Sequence, residues 1–137
     1  MSRPKLKPSA VALDKLLEEA SWLLSHAQAL ADYGRSQEAT AELARAASCE
    51  EEVACWLDAA GREQEAVVHR VSAASCYEQL GEYARAVTLL RAALSAPLST
   101  EYQQRLRHQL DHCLAEAEYN LKRYLEIVRG IFERTQI

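Results

Sequence analysis

An all-α fold is the class this sequence predicts, and three observations predict it. Alanine, the strongest helix former and the side chain that lets helix backbones approach closely, occurs 24 times in 137 residues, against one Phe and one Met. Apolar residues recur at intervals of three and four over most of the chain, the period of one helix face. Three of the four glycines head the same short motif: Gly34-Arg-Ser-Gln-Glu-Ala39, Gly61-Arg-Glu-Gln-Glu-Ala66 and Gly81-Glu-Tyr-Ala-Arg-Ala86, each G-x-x-x-[ER]-A. The pattern reads as a helix ending at the glycine, a tight turn, and a second helix whose first inward residue must be small. Antiparallel helical hairpins are therefore expected, as a bundle or short solenoid of about five helices.

Residues 1–8, with three basic residues and two prolines, have nothing to pack and are expected to form a mobile tail. Ser9 offers an N-cap, and Val11, Leu13, Leu16, Leu17, Ala20, Leu23, Leu24, Ala27 and Leu30 line one face of a first helix running to about Tyr33. Gly34 ends it. In the next segment Ser48 and Glu51 match a capping box that would start a new helix, but the absence of Gly or Pro favours one helix from about residue 36 to 60. Helices from Arg62 to Leu80 and from Glu82 to Ala96 follow, the second stopped by Pro97. Ser99 or Thr100 caps the last helix, where Leu106, Leu110, Cys113, Ala117, Leu121, Tyr124, Val128 and Ile131 form a coiled-coil-like seam. From Leu121 onward alanine disappears and large apolar residues crowd together. The expected division is a tail at 1–8, a helical domain at 9–120, and an amphipathic extension at 121–137 continuous with the last helix. That extension must cover something, either the open end of its own core or another chain.

Composition excludes several function classes. The formal charge is −4 with both signs interleaved, so no concentrated positive field exists for a nucleic-acid backbone. No run approaches the roughly 20 apolar residues that a membrane span needs. The four cysteines, Cys49, Cys55, Cys76 and Cys113, make no CxxC pair and read as small hydrophobes in a reducing compartment, so the cytoplasm is expected. No phosphate-cradling glycine loop, no nucleophile elbow and no paired carboxylates suggest catalysis, and no cofactor is expected.

Over Val67 to about Leu98, with Ala73, Ala74, Tyr77, Gly81, Tyr83, Ala86 and Ala93 in place and Pro97 one position early, the chain resembles the tetratricopeptide repeat family. Ala27, Leu30, Gly34, Ala39 and Ala46 make a weaker copy. The resemblance implies protein or peptide recognition in a groove lined by first helices of the hairpins, with Gln28, Asp32, Ser75, Glu78 and Gln79 as polar contacts. The family repeats about every 34 residues, whereas these glycines are 27 and 20 apart, so one helix must serve two hairpins, and a compact up-and-down bundle explains the spacing equally well. Gln64 to Leu125, with GEYARAV, RLRHQLDHC and AEAEYNLKRYL, is similar to the microtubule-interacting-and-transport domain, which implies a grip on short helical peptides; Glu78 stands there for the usual aspartate.

Trp22 and Trp56 fit poorly at the innermost positions of their helices and are candidate interface anchors, as are Tyr124, Ile127, Ile131 and Phe132 in the last helix. Glu50 to Glu52 read as a solvated acidic face. The reading that follows is a non-enzymatic adaptor or assembly subunit binding a partner protein or helical peptide, with homo-oligomerisation through the C-terminal helix as a further expectation. The competing reading is a self-associating bundle with a metal at His108 and His112, which lie four apart on a helix and would need further ligands such as His69 or Cys76. Without an HExxH motif, no metal site is assigned.

Overall fold

The computed structural model describes residues 9–136; the expected tail at 1–8 lies outside them. Among the described residues there are five α-helices: α1 (Ala10–Asp32), α2 (Ser36–Ala59), α3 (Glu63–Gln79), α4 (Tyr83–Leu94) and α5 (Thr100–Thr135). The all-α class and the number of helices are as the sequence predicts. Ser9 and Ser99 cap α1 and α5, each hydroxyl accepting a backbone N–H three residues on, at 3.2 Å. The capping box at Ser48 and Glu51 does not start a helix, and α2 runs unbroken through the three glutamates.

The first three joints are the same structure built three times. Gly34, Gly61 and Gly81 have φ of +77°, +77° and +76°, a backbone region that side-chain-bearing residues rarely adopt. At the first joint Gly34 donates to the Ala31 carbonyl at 3.0 Å and Arg35 to the Leu30 carbonyl at 2.9 Å, and Gly61 and Gly81 repeat the pair. This double closure satisfies the carbonyls at the helix end. The residue after the glycine then starts the next helix: the carbonyls of Arg35, Arg62 and Glu82 accept the N–H of Ala39, Ala66 and Ala86. The G-x-x-x-[ER]-A motif therefore marks a joint without linker, and its alanine is small because it is buried where two helices converge. At two joints an arginine pairs with the glutamate three residues on, Arg35 with Glu38 and Arg62 with Glu65.

A Cβ at Gly81 would meet nothing within 4 Å, so substitution there tests the backbone alone. Gly81→Ala is expected to lower stability in urea denaturation by about 1 kcal/mol, and Gly81→Asn by less, because asparagine tolerates the left-handed region. Equal stability of wild type and Gly81→Ala would contradict this account of the joint.

Successive helices pack on one another in chain order, α1 on α2, α2 on α3, α3 on α4 and α4 on α5. Ala46, Ala47, Ala66, Ala73, Ala74, Ala86 and Ala93 have no accessible surface, so the helix backbones come close and the abundance of alanine is accounted for. Leu13, Val53, Leu57 and Ala66 join α1, α2 and α3 in one cluster. The larger cluster runs from Ala47 through Val67, Tyr77 and Leu90 to Leu106 and Cys113.

The lengths of the last two helices do not match. α4 has 12 residues and α5 has 36, about 18 Å against 54 Å at the helical rise. α5 is buried only at Leu106 and Cys113, and beyond Ala117 its large apolar side chains are exposed. Of the two roles left open for this segment, covering the open core or facing another chain, the first is not what the fold uses it for.

Candidate partner-binding surface

The expected site residues fall into four places. Gln28 and Gln79 come together in a groove of about 470 Å³ lined by the end of α1, the start of α2 and the end of α3. Its walls are Leu24, Ala27, Ala31, Ala39, Leu43 and Leu80, with Ser36 and Thr40 adding hydroxyls. Asp32 is not in the lining, but its carboxylate accepts a hydrogen bond from the Gln28 side-chain amide at 2.9 Å and so fixes that side chain.

Ser75 and Glu78 are drawn into the protein instead. Gln109 of α5 donates to both, at 3.1 Å each, and His112 sits 3.7 Å from Glu78 with its ring edge-on to Tyr83. These two residues hold α5 to α3, which separates them from the groove that the family resemblance implied.

The tryptophans divide as well. Trp56 is half-buried against Leu13, Val53, Leu57 and Ala66, a packing position. Trp22 is 57% exposed and stacks on His26, ring centroids 4.6 Å apart, while His26 Nδ1 lies 3.3 Å from Glu42. Of the pair, only Trp22 is available as an anchor.

The fourth place is the protruding half of α5. Tyr124, Ile127, Ile131 and Phe132 are all exposed there, together with Leu121, Leu125 and Val128. At 3.6 residues per turn these seven occupy one arc of about 160°. Glu118 and Lys122, and Arg129 and Glu133, pair along one flank of that arc. An apolar face so wide and so exposed on a helix otherwise laced with ion pairs is the largest unpartnered feature among the described residues.

A polar network escaped the sequence reading. Glu50 is 4% exposed, and its carboxylate meets His69 Nδ1 at 2.6 Å. Glu51 accepts the Tyr77 hydroxyl proton at 2.6 Å, and Arg85 lies over the Tyr77 ring, 5.3 Å from its centroid, while donating to its hydroxyl. Burial and the Glu51 hydrogen bond raise the Tyr77 pKa. The acidic run is thus a correction: of its three residues only Glu52 is exposed, and the other two tie α2 to α3. A signal was present, since Ala46, Ala47, Val53, Ala54 and Leu57 make a stripe whose vacant slot is position 50.

Cys49, Cys76 and Cys113 are buried, and burial pushes each thiol up to about 11, away from the thiolate that a nucleophile needs. Among the described residues no three His, Cys, Asp or Glu side chains are grouped to hold a metal, and His108 and His112 are both exposed. No described helix is long and apolar enough to cross a membrane. Comparison of the chain with protein-family models, curated proteins and solved structures finds no match.

Proposed function

We infer that this chain is a non-enzymatic interaction module, an adaptor or assembly subunit whose α1 to α4 stack holds an exposed apolar helix out for a partner protein. The observation that carries this reading is the unpartnered face from Leu121 to Phe132. Exposed apolar patches of this extent mark interaction sites in soluble proteins, and an amphipathic helix supplies its anchors at three- and four-residue spacing when it docks in a groove. The groove holding Gln28 and Gln79 is the second surface, suited to a short peptide segment with polar groups for the two amides. The free thiols fit the reducing cytoplasm.

Comparison of the full chain with one ending at Asn120 tests the reading. The shorter chain is expected to keep its helical circular dichroism in proportion to length, and the urea midpoint of the full chain as a monomer, because the residues removed are exposed in a single copy. It is also expected to lose the partner that co-purifies with the full chain from its native host. Unfolding of the shorter chain would show the segment to be core and would overturn the reading.

A further inference from the structure

We propose that the protruding half of α5 pairs with the same segment of a second copy of this chain, antiparallel, so that each copy's helix continues the other's α4. The proposal rests on the reading of this segment as an interaction surface and names its occupant.

Continuity with an interface inside the chain is the first argument. The seam begins at Leu106 and Cys113, where it is buried against α4, and runs to Ile131, where it is bare. Its eight residues fall within about 80° of arc at 3.6 residues per turn, so the stripe that packs on α4 continues straight into solvent. A helix lying end to end with α4 and antiparallel to α5 would complete it. A two-fold axis provides that helix from the same residues, since each copy's bare stripe is covered by the other's, the isologous arrangement of most homodimers.

Register follows from the seam. With Leu121 opposite Ile131 of the second copy, Tyr124 meets Val128 and the two Leu125 side chains meet near the axis. The second copy's helix, which ends at Thr135, then stops level with Ala117. There the Gly81 turn and the first residues of α4, Tyr83 to Arg85, leave a hollow of about 350 Å³ against Ala117 and Asn120, which gives that helix end a seat against the start of α4.

Area and charge agree. The seven side chains from Leu121 to Phe132 are between 43% and 63% exposed and present on the order of 800 Å², what one partner contributes to a standard stable interface. On the polar face Lys122, Arg123, Arg129 and Arg134 nearly balance Glu118, Glu126 and Glu133, and two pairs are closed within the helix. A helix of one strong sign would repel its copy and select an opposite partner; this one does neither.

The test uses the full chain. Sedimentation equilibrium is expected to give a dimer at micromolar concentration, and Val128→Glu, which places two like charges near the axis, is expected to weaken it about a hundredfold or more with unchanged circular dichroism and urea midpoint for the monomer. Orientation is read by oxidative cross-linking of Leu121→Cys and Ile131→Cys in a Cys55→Ser background. The mixture is expected to cross-link while neither variant alone does so. Cross-linking of each variant with itself would mean parallel pairing and overturn the proposal. A full chain that stays monomeric at all concentrations, or that covers this face only with a different protein, would also overturn it while leaving the interaction reading to the Asn120 truncation.

Discussion

Leu90→Ala is expected to lower the unfolding free energy by about 2–5 kcal/mol, near the upper end of that range, which is a large part of what a domain of this size has. Leu90 has no accessible surface and lies in the large cluster with Ala86, Ala93, Val67 and Leu106. The spread of cost for a truncated leucine reflects how far the surroundings collapse into the space left. Here many of the surroundings are alanines, whose side chains have no freedom to reach inward, on helices already near closest approach. α4 is also the shortest helix and packs on both α3 and α5, so the cavity weakens two interfaces at once. Urea denaturation followed at 222 nm measures the loss, and a change under 1 kcal/mol would show that the cluster is loosely packed.

His69→Ala is expected to cost about 1–3 kcal/mol, because it leaves the Glu50 carboxylate buried without its partner. The pair is only partly shielded, with His69 side-chain exposure at 23%, which keeps the figure below that for a fully buried ion pair. Replacing both groups, Glu50→Leu with His69→Leu, is expected to cost less than His69→Ala alone, since no orphaned charge remains and α2 and α3 keep apolar contact. The double variant and both single variants, compared by urea denaturation, close a thermodynamic cycle. Losses that simply add would mean that the two side chains do not act on each other.

The fold was legible because its punctuation is chemical. Ser9, Ser99, Pro97 and the three glycines each do one thing to a backbone, and the helix ends fall within two residues of the positions they mark. Alanine content foretold close helix packing for the same reason. The site was less legible, and Glu50 shows why: its charge argues for solvent, its position in the stripe argues for the core, and only His69, nineteen residues away, decides between them. Ser75 and Glu78 look open to a ligand in the sequence because nothing there shows that Gln109, more than thirty residues on, faces them. In α5 the seam marks the face that packs on α4 at Leu106 and Cys113, but periodicity records which side of a helix is apolar and not where α4 stops covering it.

The three glycine joints also decide where this chain tolerates a change of length. Arg35, Arg62 and Glu82 each close one helix and open the next, so an inserted residue there has no slack to occupy and would turn every following helix about its axis. Between α4 and α5 the chain runs through Ser95 to Ser99 with the α5 cap supplied afresh by Ser99. A loop, a tag or a new chain terminus engineered into this protein belongs at that one connection.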